Sequence, residues 1–144
     1  MHIEASINPQ TKSAFFDDVF TKFPSLEASI LDDFTRYKAT GELPNYFGTD
    51  VAYTQPHAAL KAGVMHIHLC LPPNTFPEGR PQADRKCRMG DPQNDACLVY
   101  VQGELYENKY SLLAIMHPDA HTMARKHEVM SYLCRIATEF RDQN

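Results

Sequence analysis

Hydrophobic and polar residues alternate at the start of the chain and then recur at helical spacing. Residues 2–7 alternate with a period of two, which predicts a short strand. The Asn-Pro pair at 8–9 suits the beginning of a helix, and apolar side chains follow at helical spacing through residues 9–23. A second apolar stripe begins after Pro24 and stops at Gly41, a residue typical of helix ends. The chain therefore opens as strand, helix, helix.

The rest of the chain contains further strands and a last helix. Residues 42–62 hold two prolines and a central glycine, which predict turns. A strand is predicted from Val64 to Leu71, and residues 97–103 and 110–117 predict a hairpin. The last helix follows Asp119 and buries an apolar stripe. The order β-α-α-β-β-β-α favours an α+β fold in which helices cover one face of an antiparallel sheet.

A long irregular segment separates these strands. Residues 72–96 contain five prolines and two glycines without any periodicity, and they predict a long loop that is either mobile or functional. Four basic side chains lie close together in it: Arg80, Arg85, Lys86 and Arg88. Such a loop either stays in solvent or contacts phosphates. With 144 residues, the whole chain, residues 1–144, is predicted to form a single domain.

Composition narrows the class of protein. No apolar run has the length of a membrane span, and the first residues lack the basic and apolar regions of a secretory signal, which predicts a cytoplasmic protein. The four cysteines form no C-x-x-C pair and are expected to be reduced thiols. The net charge of −4 does not favour nucleic-acid binding, but the excess acid lies in residues 1–34 and the remainder is neutral.

Histidines are the main candidates for chemistry. His66 and His68 share one face of a predicted strand, and His117 and His121 flank the start of the last helix. Histidine can take or give a proton near neutral pH, as RNA hydrolysis without a metal requires. Arg125, one turn after His121, could hold a phosphate. Three alternatives remain open: an exposed histidine pair, a solvated helix face, and a zinc or iron site built on the His-x-His pair.

Several short blocks, spread in order over residues 15–141, carry a family resemblance. They are Phe34-Thr-Arg-Tyr-Lys38, Gly41-Glu-Leu-Pro44, Phe47-Gly-Thr-Asp50 with Tyr53, His66-Ile-His-Leu69, Leu98-Val-Tyr100 with Gly103, Leu112-Leu-Ala-Ile115, Pro118-Asp-Ala-His121 with Ala124, and Ala137-Thr-Glu-Phe-Arg141. Together they resemble the YafO toxin family. The resemblance implies a type II toxin that cleaves mRNA on the ribosome, a YafN-like antitoxin, and contact with DNA only through that antitoxin.

The resemblance also implies the site and the fold. It implies kinship with RelE-like toxins, whose element order agrees with the order predicted from periodicity. It places a metal-independent and cofactor-free endoribonuclease site on the central strands, and by position the catalytic roles fall on His66, His68, Tyr100, His117 and His121. One histidine of the strand pair would be the general base, and His117 or His121 the acid or phosphate donor. Tyr100 would stack on a base or orient the substrate. The expected RNA contacts are Arg80, Arg85, Lys86, Arg88 and Arg125.

Two other functions compete with this hypothesis. The chain could be a non-catalytic module that binds the ribosome or a protein partner and blocks translation without cutting RNA. It could also be a metal-dependent hydrolase that uses the His66-x-His68 pair as ligands. New 5′ ends on mRNA would distinguish the ribonuclease from the binding module, and sensitivity to a chelator would indicate the metal-dependent enzyme.

Overall fold

The computed structural model describes residues 2–144, so Met1 of the predicted domain lies outside the described residues. Its centre is a five-stranded mixed sheet in the order β1-β5-β4-β3-β2. Strand β1 runs parallel to β5, and the other neighbours are antiparallel. The strands are β1 Glu4–Ile7, β2 Phe47–Ala52, β3 Val64–Leu69, β4 Ala96–Gln102 and β5 Lys109–Met116.

Six helices pack against this sheet. Two of them, α3 (Pro24–Thr40) and α4 (His57–Ala62), end at glycines with a positive φ angle. The φ angle is 78° at Gly41 and 72° at Gly63, which is the left-handed conformation that closes a helix. Two short 3₁₀ helices, Gln82–Asp84 and Pro92–Asn94, lie in the long segment before β4. The α-helices are α1 Lys12–Phe15, α2 Asp17–Lys22, α3 Pro24–Thr40, α4 His57–Ala62, α5 Ala120–Met123 and α6 His127–Gln143. None of the helices within residues 2–144 is long and apolar enough to cross a bilayer.

Helices cover both faces of the sheet, so the prediction of helices on one face is wrong. On one face, Phe16, Ile30 and Phe34 from the first helices pack on alternate strand residues. On the other face, Met130 and Leu133 of α6 pack on the remaining strand residues. The physical reason is visible in the sequence, because residues 112–116 are a continuous apolar run, and a strand buried on both sides has no alternation.

The predicted antiparallel sheet is wrong at its edge. Glu4 pairs with Lys109 in a parallel ladder, and Asn8 of the following turn reaches Ser111 with a side-chain hydrogen bond of 3.1 Å. No local pattern announces a pairing between segments about a hundred residues apart. The α+β class and the β4–β5 hairpin are confirmed.

Several predicted boundaries also change. Residues 42–62 form β2 and α4 rather than turns alone, and these elements were missing from the predicted order. Gly48 lies inside β2, where a Cβ would come within 2.3 Å of the Arg85 carbonyl oxygen, so the glycine permits close approach of two backbones. The predicted helix at residues 9–23 divides at Phe16, and the last helix divides between Ala124 and Lys126.

The segment 72–96 is held along the outer edge of β2. The Thr49 amide donates to the Arg85 carbonyl at 2.9 Å, and the Thr49 hydroxyl donates to the Gln82 and Ala83 carbonyls. The Gln82 side-chain amide donates to the Gly48 carbonyl at 3.0 Å. These bonds cover the open edge of the sheet and bring the segment next to β3.

Candidate functional site

Three histidines meet in a cavity of about 200 Å³ on the α6 side of the sheet. His66 and His68 extend from the same face of β3, as their alternation predicted, and His121 extends from α5. The ring centroids of His66 and His68 are 5.5 Å apart, and those of His68 and His121 are 5.8 Å apart. Tyr53 and Arg125 complete the walls. The strand pair therefore lines a partly covered cavity rather than an open sheet face.

His121 is held by a buried carboxylate. Asp95, whose side chain is 1% exposed, accepts a hydrogen bond from the His121 backbone amide at 2.9 Å and from its Nδ1 at 2.7 Å. Because a carboxylate only accepts, Nδ1 carries a ring proton, and in the neutral ring the lone pair is on Nε2. A histidine oriented in this way is suited to be a general base.

The hydrogen bond to the His68 ring selects the opposite tautomer. Its Nδ1 accepts a hydrogen bond of 2.8 Å from the backbone amide of Cys87, so the neutral ring carries its proton on Nε2. Burial lowers the pKa of His68 and the neighbouring His121 lowers it further, while Asp95 partly opposes the shift. In their neutral forms, His68 is a hydrogen-bond donor at Nε2 and His121 is an acceptor at Nε2, so the cavity offers one of each.

The His66 ring forms a neutral aromatic wall of the cavity. Its ring stacks on Tyr53 with centroids 3.9 Å apart and an interplanar angle of 11°. The Tyr53 hydroxyl in turn lies 3.5 Å from the Cys97 sulfur. Burial, with a smaller contribution from His68, lowers the pKa of His66 to about 4, and its Nδ1 has no hydrogen-bond partner within residues 2–144. His66 is therefore neutral at physiological pH.

This lowered pKa predicts a loss of stability in mild acid. Below its ordinary pKa of 6.5 the unfolded chain protonates His66, but the folded chain does so only near 4, so the stabilisation present above pH 6.5 is lost as the pH falls. Between about pH 7 and about pH 4.5 we expect wild type to lose about 2 kcal/mol more unfolding free energy than His66→Phe. Urea denaturation of both proteins at both pH values measures this difference in unfolding free energy. Equal losses in the two proteins would contradict the assignment, and His57→Phe, at an exposed position, is the control.

Tyr100 does not belong to the cavity. It pairs with Met65 of β3, which places its ring on the opposite face from the histidines, and it is 2% exposed. Its hydroxyl donates to Asp50 at 2.6 Å and accepts from Lys38 at 2.8 Å. The expectation that Tyr100 stacks on an RNA base is therefore wrong, because the ring is enclosed in the core beside Phe34.

His117 also lies elsewhere. Its Nε2 donates to the Gln93 carbonyl oxygen at 2.9 Å, and its ring packs edge-on against Phe23 on the side of the sheet that α1 to α3 cover. This arrangement fixes the turn after β5. The predicted catalytic role of His117 is not compatible with this position, since the residue does not line the histidine cavity.

One of the basic residues holds the backbone in place, and the others extend into solvent or line the cavity. The Arg85 guanidinium donates to the carbonyls of Arg80, Pro44 and Phe47, so it anchors the segment instead of presenting its charge to RNA. Arg85 thus has a structural role, and its expected contact with RNA stays a prediction. Arg80, Lys86 and Arg88 are exposed, and their contact with RNA stays a prediction. Arg125 lines the cavity, and its guanidinium lies 3.3 Å from the Met89 sulfur.

The sequence pattern identified His66, His68, His121 and Arg125 but missed Asp95 and Tyr53. A single aspartate before an apolar strand carries no distinctive signal, and Tyr53 follows a strand that was itself missed. Within the described residues, no group of three or more His, Cys, Asp or Glu side chains is arranged to hold a metal ion. Hydrogen bonds to Cys87 and Asp95 already occupy Nδ1 of His68 and of His121.

Comparison with known proteins adds a family. The family model described as "Toxin YafO, type II toxin-antitoxin system" matches residues 35–142, a range that includes every residue of the histidine cavity. The mRNA interferase toxin YafO of Escherichia coli (strain K12) is 38% identical over 113 residues, which cover 76% of this chain and 80% of that protein. No solved structure matches the chain.

Proposed function

Because this chain belongs to the YafO toxin family of type II toxin–antitoxin systems, we propose that it is an endoribonuclease that cleaves mRNA in the histidine cavity. The observation that carries the proposal is that this cavity holds one histidine placed to accept a proton and one placed to donate a hydrogen bond. The Asp95-bound His121 offers a lone pair at Nε2, and His68, whose ring lies 5.8 Å away, offers a proton donor. These are the groups that metal-independent RNA cleavage needs.

The reaction follows from these roles. Nε2 of His121 takes the proton of the 2′-hydroxyl, and the buried Asp95 stabilises the imidazolium that forms. The 2′-oxygen then bonds to the adjacent phosphorus as the bond to the 5′-oxygen breaks. Water protonates the departing oxygen, and the hydroxide that remains takes the proton from the His121 imidazolium, which restores the base. Nε2–H of His68 and the Arg125 guanidinium donate to the phosphate oxygens, where negative charge grows. This assignment reverses the roles first predicted, since His121 is the base and His68 the donor.

The charge of the chain supports capture of the substrate on the ribosome. A protein with a net charge of −4 gains little long-range attraction to free RNA. We therefore propose that the toxin works in the cytoplasm on mRNA that the ribosome presents. Its protein partner would be a small YafN-like antitoxin, and it would contact DNA only through that antitoxin.

Mapping of mRNA ends tests the proposed function. Induction of the wild-type chain is expected to stop growth and to create new 5′ ends that primer extension detects. His68→Ala is expected to reduce the cleavage rate at least about tenfold, because the phosphate loses a donor. The matched control is His57→Ala, an exposed residue at the start of α4, which should cleave like wild type.

Two outcomes would replace the proposal. Growth arrest by the wild-type chain without new 5′ ends would show a ribosome-binding or partner-binding module instead of a nuclease. Cleavage that stops on addition of EDTA and returns with a divalent metal would show a metal-dependent hydrolase. Unchanged cleavage in the His66→Ala, His68→Ala double variant would remove the reaction from this cavity.

A further inference from the structure

A second cavity, of about 280 Å³, opens directly beside the histidine cavity. The two cavities share Gln55, Ala124 and Arg125 in their walls. A ligand longer than one nucleotide can therefore extend from the first cavity into the second. The break between α5 and α6 creates this space, since Arg125 and Lys126 lie in the irregular turn that joins the two helices.

The second cavity is suited to an anion. Arg125, Lys126 and His127 follow one another along its wall, and none of its lining residues in the described chain is acidic. Neither Arg125 nor Lys126 has a carboxylate within 4 Å in the part of the chain that the structure describes. Another cavity, of about 520 Å³, is instead lined by side chains of both signs, with Glu4 and Asp32 beside Lys109. In a chain of net charge −4, this unpaired positive wall marks a place for a phosphate.

The rest of the second cavity is suited to a nucleobase. Pro56, Ala124 and the buried Met130 provide apolar surface on which a flat ring can rest. Gln55 is exposed at the boundary with the histidine cavity, and its amide can both donate to and accept from a base edge. Unpaired RNA bases are recognised by this combination of ring contact and edge hydrogen bonds.

We propose that this second cavity binds the ribonucleotide next to the bond that is cut. Lys126 contacts its phosphate and Gln55 contacts its base, so the second cavity sets the affinity for the RNA and the preference for one flanking nucleotide. The inference rests on the proposed ribonuclease function. It goes further because it assigns a substrate-binding subsite to residues that take no part in proton transfer.

Kinetics on ribosomes loaded with a defined mRNA test the phosphate contact. Lys126→Gln is expected to raise KM about tenfold while kcat stays within about twofold, because a bound phosphate loses one charged partner. Lys126→Glu should raise KM further through repulsion. Lys61→Gln is the matched control, since Lys61 is an exposed lysine of α4 that lines neither cavity. A KM for Lys126→Gln equal to that of the control would overturn the proposal.

Mapping of cleavage positions tests the base contact. Gln55→Ala is expected to flatten the nucleotide preference beside the cleaved bond, because the base loses its edge contact. An unchanged distribution of cleavage positions would overturn the assignment of the base to this cavity. The failures are distinguishable: absence of cleavage by wild type overturns the proposed function and this inference together. Cleavage by wild type with unchanged Lys126 and Gln55 variants overturns the inference alone.

Discussion

Replacement of His121 by alanine is expected to slow mRNA cleavage by about 10²–10⁴-fold and to abolish growth arrest. The variant removes the one imidazole in the cavity whose Nε2 is held free by a buried carboxylate. It should stay folded, because the ring is 29% exposed and packs only at the rim of the core. Single-turnover cleavage of mRNA on ribosomes measures the effect, and thermal unfolding checks the fold.

The most informative control for this variant is another histidine. His117→Ala is expected to cleave at a rate within about threefold of wild type, since its ring nitrogen is bonded to Gln93 outside the cavity. Asp95→Asn should lower kcat with little change in KM, because the amide no longer fixes His121 in the basic form. If His121→Ala kept its cleavage rate and His117→Ala lost it, the site would have to move to the turn after β5.

Asp50→Ala is expected to destabilise the protein by about 3–5 kcal/mol. Asp50 accepts hydrogen bonds from Lys38 at 3.0 Å, from Tyr37 at 2.8 Å and from Tyr100 at 2.6 Å, on the face of the sheet opposite the histidines. The side chains of Lys38 and Asp50 are 17% and 10% exposed. Removal of the carboxylate leaves the Lys38 ammonium without its counter-charge in a largely buried place. Urea denaturation at neutral pH measures the change.

A surface aspartate provides the comparison. Asp17→Ala breaks an exposed ion pair with Lys12, which solvent screens, so its effect on stability should be far smaller. The double variant Lys38→Met, Asp50→Ala is expected to recover part of the lost stability, because no unpaired charge remains inside. A loss for Asp50→Ala no larger than that for Asp17→Ala would show that the buried ion pair is not what stabilises this face.

Local patterns predicted most of the elements but not how the strands pair. The stripe that ends at Gly41 gave α3, and the alternation around His66 gave β3, because these signals depend on neighbours in sequence. Strand β2 was missed because Gly48 resembles a turn residue. A glycine is required at this position because the backbone of Arg85, in a distant segment, passes too close for a side chain. The two-sided burial was readable from residues 112–116, which lack alternation.

The candidate site shows the same division. Alternation alone placed His66 and His68 together, and His121 came from the family resemblance, which puts catalytic side chains near the end of the final strand. Tyr100 was misplaced because register decides the face of a strand residue, and the pairing of Met65 with Tyr100 cannot be read locally. Asp95 was missed because its importance comes only from the fold, which brings it to a ring 26 positions later in the chain.

The parallel strand at the sheet edge has a consequence for the time at which the toxin becomes active. In the sheet, strand β1 lies next to β5 alone. The residues of β1 are synthesised first, but they can pair only after about three quarters of the chain has been made. His121 and the whole of α6 are made later still. Such long-range pairing slows folding, because β1 and β5 must meet across about a hundred residues. The histidine cavity needs His121 as well as the closed sheet, so it is expected to be among the last parts of the fold to form.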